Sequence, residues 1–229
     1  MHPYVRGLKA HLARHANPKQ AAPMKRYMRD QFDYLGIKLP VLYRLLRQYR
    51  AEQGLPALSH LEEVVRDLWA MPEREFQYSA TSLLEKFEGE LPASFIRTLE
   101  YLIVTKSWWD TVDTLSANAV GAHFKRYPAV KGRALNKWRK SSNFWLRRAA
   151  ILFQLNYKTE TDFWLMREII CENLGSKEFF INKAIGWALR QYTRVDPQGV
   201  RQFVAETSLN PLSSREALKW LEKRRAAAA

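Results

Sequence analysis

The sequence predicts an all-α protein: a right-handed solenoid of stacked helical hairpins with one concave, basic groove. Three observations carry that expectation. Apolar residues recur at helical spacing in segment after segment, whereas few runs alternate with period two, and the nine glycines fall mostly at segment ends. Related segments return at a regular interval. The charge balance is strongly basic.

The elements follow in chain order. Residues 1–72 precede the repeat and read as an N-terminal helical cap; residues 73–225 carry the repeats, so that 1–225 form a single domain. The repeat shows in EFQYSATSLL from Glu75, WWDTVDTL from Trp108, FWLRRAAILF from Phe144, FFINKAIGWAL from Phe179 and LSSREALKWL from Leu212, each read as the second helix of a hairpin. With Phe76, Trp109, Trp145, Phe180 and Ser213 as equivalent anchors, the steps are 33, 36, 35 and 33 residues. That length holds two helices and two turns. Such hairpins bury a face only against their neighbours, and they stack into a curved array, as armadillo- and HEAT-like repeats do. The closing LEKRRAAAA departs from the repeat, and residues 226–229 are set apart as a tail with no function.

The chain has 229 residues, 47% of them hydrophobic, enough for a continuous core. Lys and Arg number 37 against 23 Asp and Glu, a formal charge of +14. So large an excess points to a polyanionic partner, with nucleic acid favoured over a merely basic or ribosome-adhering protein. Cys171 is the only cysteine, which excludes an intramolecular disulfide and any four-cysteine zinc or iron–sulfur site. No run approaches eighteen apolar residues, and MHPYVRGLKAHLARH is polar where a signal segment would be apolar. A cytoplasmic protein is expected. His2, His11, His15, His60 and His123 form no HExxH, and there is no Gly-rich phosphate loop or paired-metal carboxylate set. Neither a metal nor a nucleotide cofactor is expected.

Three second helices are preceded by similar residues: Thr105-Lys106-Ser107, Ser141-Ser142-Asn143 and Ser176-Lys177. Small hydroxyl residues there suit N-caps, and helix N-termini in register along a groove would offer N–H groups to phosphates. Ser and Thr cap helices everywhere, so the inference rests on the register and the adjoining lysines.

One repeat breaks the pattern. Four residues after the anchors stand Ala80, Asp113, Ala149, Ala184 and Ala217, a carboxylate among alanines. A carboxylate on a packing face is costly unless paired, so it serves either chemistry or a structural salt bridge. Anchoring instead on Trp108 gives Val112 the alanine position and turns Asp113 toward the groove. Trp109 lies one turn before Asp113, and Arg148 and Trp187 lie on the same stripe in the next two repeats. Singly, the tryptophans suit core packing and Arg148 suits a partner for Asp113. Together the four residues can converge on one spot.

VTKSWWDTVD at Val104 to Asp113, WLRRAAILFQL at Trp145 to Leu155 and SKEFFINKAIGW at Ser176 to Trp187 resemble the AlkD-type alkylpurine DNA glycosylases. MHPYVRGL, RYM, LGI and WAMPEREFQ extend the resemblance over nearly the whole chain. It implies that Asp113 is the catalytic carboxylate, that Trp109 and Trp187 flank it, and that Arg148 contacts the DNA backbone near the lesion. It also implies that Tyr27 lies near the DNA opposite the lesion. Lys38 and Asn156 depart from the glutamine and lysine of the family, which bears on contacts to that strand. The expected DNA contacts are thus Arg148, Tyr27, Lys38, Thr105, Lys106, Ser107, Ser141, Ser176, Lys177 and Arg190.

Alkylation at N7 of guanine or N3 of adenine already makes the base a cationic leaving group. An anion at Asp113 then stabilises the developing sugar cation and orients water, while the indoles attract the same charge. No partner acid of the kind glycosidases use is evident in the sequence. The expectation is a monomeric, monofunctional glycosylase acting on alkylated duplex DNA without turning the base into a deep cavity. Its rivals are a non-catalytic binder of damaged or branched DNA and a protein-interaction solenoid.

Overall fold

The computed structural model describes residues 1–228, with side chains through Arg224, and among these residues it contains helices and no β-strand. The tail set apart at 226–229 falls at this edge: the backbone is helical through Ala228, and the rest lies outside the described residues. The chain forms two compact units, divided between Phe95 and Ile96.

The first unit holds α1 (Pro3–Ala13), α2 (Pro18–Tyr27), α3 (Leu39–Gln53), α4 (Leu61–Ala70) and α5 (Arg74–Leu84). Proline in the first turn starts α1 to α3, where its missing N–H costs nothing. Leu8, Leu12, Leu42, Leu45, Leu61, Leu68, Trp69 and Phe76 make the core. The sequence reading ends the cap at residue 72, whereas the unit extends to Phe95 and takes in the α4–α5 hairpin.

Two buried charges hold this unit's central loop. Glu75 accepts the N–H groups of Leu35 at 3.0 Å, Gly36 at 2.9 Å and Ile37 at 3.0 Å. The buried Arg74 guanidinium lies 3.7 Å from the Phe32 ring centre. Gly36 has φ +87°, and a Cβ there would meet the Asn17 carbonyl at 2.0 Å, so only glycine fits. The loop fastened in this way leads directly to Lys38, the residue before α3.

The second unit holds α6 (Ile96–Val104), α7 (Trp109–Leu115), α8 (Gly121–Arg126), α9 (Pro128–Trp138), α10 (Phe144–Leu152), α11 (Phe163–Cys171), α12 (Phe179–Tyr192), α13 (Pro197–Glu206) and α14 (Pro211–Ala228). A π-helical turn, Ser116–Val120, joins α7 to α8. The second helices of the hairpins pack in chain order, α7 on α10, α10 on α12 and α12 on α14. These helices carry the last four of the five anchors read from the sequence, whereas Phe76 lies on α5 in the first unit.

The rings decide the register of the repeat. Trp108, Trp145 and Phe180 form one cluster with centroids 5.0 to 6.0 Å apart. Trp108 therefore takes the anchor position, and Val112, fully buried, is the counterpart of the buried Ala149, Ala184 and Ala217. The assignment of Asp113 to the alanine position is corrected accordingly: it stands one residue beyond, turned toward the side where Arg148 lies.

Small residues set the spacing of α12 and α14. A Cβ on Gly186 would lie 2.6 Å from Glu216 Cβ and 2.8 Å from the Ser213 carbonyl oxygen. The Ser213 hydroxyl donates to the Asn182 carbonyl at 2.8 Å. Gly186→Ala is expected to push the helices apart and cost about 1–3 kcal/mol, as overpacking does. A lower urea midpoint with an unchanged slope would show it.

Candidate active site

The site lies within the second unit. Asp113, 9% exposed, points from α7 to Arg148 on α10, 3% exposed. Arg148 Nε donates to Oδ1 at 2.7 Å and Nη2 to Oδ2 at 2.8 Å, a fork that fixes the carboxylate plane. Nη1 of the same side chain donates to the Phe180 carbonyl of α12. One guanidinium thus ties three consecutive second helices together.

Burial pushes the Asp113 carboxyl above its ordinary pKa, against the pull of the hydrogen bonds and charge of Arg148. The ionised form is the one that accepts both arms of the fork. The π turn follows one turn later, and within it the Ser116 hydroxyl donates back to the Val112 carbonyl at 2.5 Å. Such turns bulge a helix locally and recur at functional sites.

Asp113 and Arg148 line an open cavity of about 310 Å3 that also has Trp109 and Trp187 on its walls. The predicted set of four is therefore brought together. The cavity's other side is formed by α12 and α14, with Lys183, Arg190 and Glu216. Glu216 accepts from Lys183 at 2.8 Å and from Arg190 at 2.7 Å. The Lys183 hydrogen bond, against a smaller effect of burial and with the charges of Lys183, Lys219 and Arg190, holds its carboxyl below the ordinary value.

Glu216 is a second carboxyl beside the site, one that the sequence analysis did not single out. A depressed pKa makes it a poor proton donor. Its signal in the sequence was position: counted from Ser213 it occupies the place that Arg148 occupies counted from Trp145.

The predicted caps are partly displaced. Thr105 and Ser107 donate to the Tyr101 and Ile103 carbonyls, closing the end of α6, and α7 has no side-chain cap at Trp108. Asn143 does cap α10 through the Trp145 N–H, and Glu178 caps α12 through the Phe180 N–H. Ser141 and Ser176 sit two residues ahead of these caps, each accepting the cap residue's N–H. Lys106 occupies the left-handed region at φ 48°, and Lys177 is exposed. Tyr27, 74% exposed, and Lys38 belong to the first unit. Asn156 Nδ2 donates to the Ala117 carbonyl and Asn118 Oδ1, which braces the π turn.

Residues 8–221 match the model of a family described as DNA alkylation repair enzyme. The chain belongs to that family. A solved structure, a predicted DNA alkylation repair enzyme from Enterococcus faecalis, is 32% identical over 91% of this chain and 97% of its own, with a TM-score of 0.83. A comparison with curated proteins gives no match. Membership of the DNA alkylation repair enzyme family gives the chain a role in DNA repair, with DNA as its substrate. No helix of the described residues is long and apolar enough to cross a membrane.

Proposed function

We propose that this DNA alkylation repair protein is a monofunctional, monomeric, cytoplasmic glycosylase of AlkD type. It hydrolyses the N-glycosidic bond of cationic purines in duplex DNA, 7-methylguanine and 3-methyladenine among them. One observation carries the reading: a buried aspartate, oriented by a bidentate arginine, faces an open cavity walled by two tryptophans.

The C1′–N bond breaks with its electron pair moving to the cationic base, which leaves neutral and needs no proton. Positive charge grows on the deoxyribose, where the Asp113 carboxylate and the faces of Trp109 and Trp187 stabilise it more than they stabilise the ground state. Water adds to C1′ and gives up a proton, for which Asp113 is the base at hand. Glu216 stays ionised throughout. An open cavity, rather than a deep slot matched to one base edge, suits capture of the lesion without inserting the base, and it leaves room for bulky cationic adducts. Arg148, engaged by Asp113 and the Phe180 carbonyl, serves the salt-bridge role, and backbone contacts pass to the exposed Lys177 and Lys38 and the half-buried Lys106.

The fork between Arg148 and Asp113 also suits a purely structural ion pair, in a chain that binds damaged or branched DNA without excision. Release of free base separates the two readings. Duplex carrying 7-methylguanine is expected to yield free 7-methylguanine and intact abasic strands, while uracil-containing duplex yields nothing. Absence of base release would contradict the assignment. Binding to undamaged duplex is expected to weaken linearly on a log–log salt plot, with a slope near −0.9 for each phosphate neutralised. An affinity independent of salt would count against the basic face as the DNA surface.

A further inference from the structure

The charges around the cavity do not cancel. Asp113 and Arg148 neutralise one another, whereas Glu216 faces both Lys183 and Arg190, which leaves one positive charge on the α12–α14 side. Lys219 adds another at 4.0 Å from Glu216. The two cations flank Trp187, one turn before and one turn after it on the same face of α12. Both keep exposure, 40% for the Lys183 side chain and 31% for Arg190, while the Glu216 side chain between them is only 10% exposed. A buried carboxylate that grips two half-exposed cations from behind holds their outer N–H groups at a fixed separation.

We propose that Lys183 and Arg190, held in place by Glu216, form a seat for the phosphodiester group adjacent to the lesion nucleotide. Glu216 is a positioning residue and touches no substrate. The seat rests on the proposed function for what lies beside it. The lesion nucleotide at its transition state carries a cationic sugar and an anionic phosphate, and the cavity offers the opposite signs in the same order, Asp113 on one side and the Lys183–Arg190 pair on the other. A phosphate seated on the pair turns the sugar toward Asp113 and Trp109, converting binding of a non-reacting group into orientation of the reacting one. It also balances the excess positive charge. Gly186, by admitting α14 to close approach, is what lets Glu216 reach both cations.

The test uses the full chain and duplexes in which one phosphate is replaced by a neutral methylphosphonate, next to the lesion or several nucleotides away. The parent protein is expected to lose about tenfold in affinity for the adjacent replacement, the scale of a charge-assisted contact, and little for the remote one. Lys183→Gln and Arg190→Gln should each lower the salt slope by about one and abolish that difference. Glu216→Gln retains both cations, so binding of undamaged duplex should persist or tighten, while the adjacent-phosphate discrimination is lost and base release slows. A merely structural carboxylate would change these readouts together. Equal losses for adjacent and remote replacements in the parent, or unchanged slopes in both cation variants, would overturn the seat. These binding readouts need no excision: a chain that discriminates without releasing base refutes the glycosylase and keeps the seat, and one that releases base without discriminating does the reverse.

Discussion

Replacing Arg148 with Met is expected to lower the unfolding free energy by about 3–5 kcal/mol, the range found when one partner of a buried ion pair is removed. For a domain of this length the melting temperature should fall by on the order of 10 °C. The loss is large because three bonds go at once: both arms of the fork to Asp113 and the link to the Phe180 carbonyl. What remains is a charged carboxyl, 9% exposed, with no guanidinium beside it. Burial already raises the Asp113 pKa, and without Arg148 it rises further. The folded variant then binds a proton more tightly than the unfolded chain does, so its stability falls as pH rises from the unfolded carboxyl value toward the folded one. The deficit relative to the parent should therefore be smallest in acid and largest near neutrality, which calorimetry across pH would show. A deficit independent of pH would mean that lost packing, rather than the stranded charge, destabilises the variant.

Asp113→Asn carries the second large effect, a fall in base release of about 10²- to 10³-fold, comparable to loss of one preorganised electrostatic group in other active sites. Asn keeps the size of the side chain and one acceptor for Arg148 but removes the negative charge facing the cavity. Binding to undamaged duplex should be retained, since exposed cations supply it. The parent's rate should fall as pH drops through the Asp113 pKa, at a pH above that of an ordinary aspartate because burial raises it. The Asn variant should lack this limb. A limb at the same pH in both proteins would belong to another group.

Much of this is legible in the sequence. Helical periodicity and the interval between WWDTVDTL, FWLRRAAILF and FFINKAIGWAL specify the hairpins, because each must bury the same stripe against its neighbours. Asp113 stood out as a carboxylate among small apolar residues, and Trp109, Arg148 and Trp187 shared its stripe. The register slipped by one because two adjacent tryptophans fit the anchor equally well in sequence, and only the ring contacts of Trp108 with Trp145 and Phe180 distinguish them. The hydroxyls near Ser107 were misplaced for a related reason: a Ser between two helices can close the first or cap the second, and Ser107 closes α6. Arg74 and Glu75 were invisible as core residues, since their partners are backbone N–H groups and a ring some forty residues upstream. Glu216 was missed because its meaning depends on Gly186 bringing α14 against α12, a close approach that spacing alone does not reveal.

In the proposed reaction the Asp113 carboxylate drives hydrolysis of a cationic purine nucleotide. The most direct test of that role is the single-turnover rate of 7-methylguanine release from duplex DNA by the parent and by Asp113→Asn, at equal saturation and below both melting temperatures. The rate should be at least about 10²-fold lower in the variant, with duplex binding intact. Equal rates would contradict it and leave Asp113 as the structural partner of Arg148.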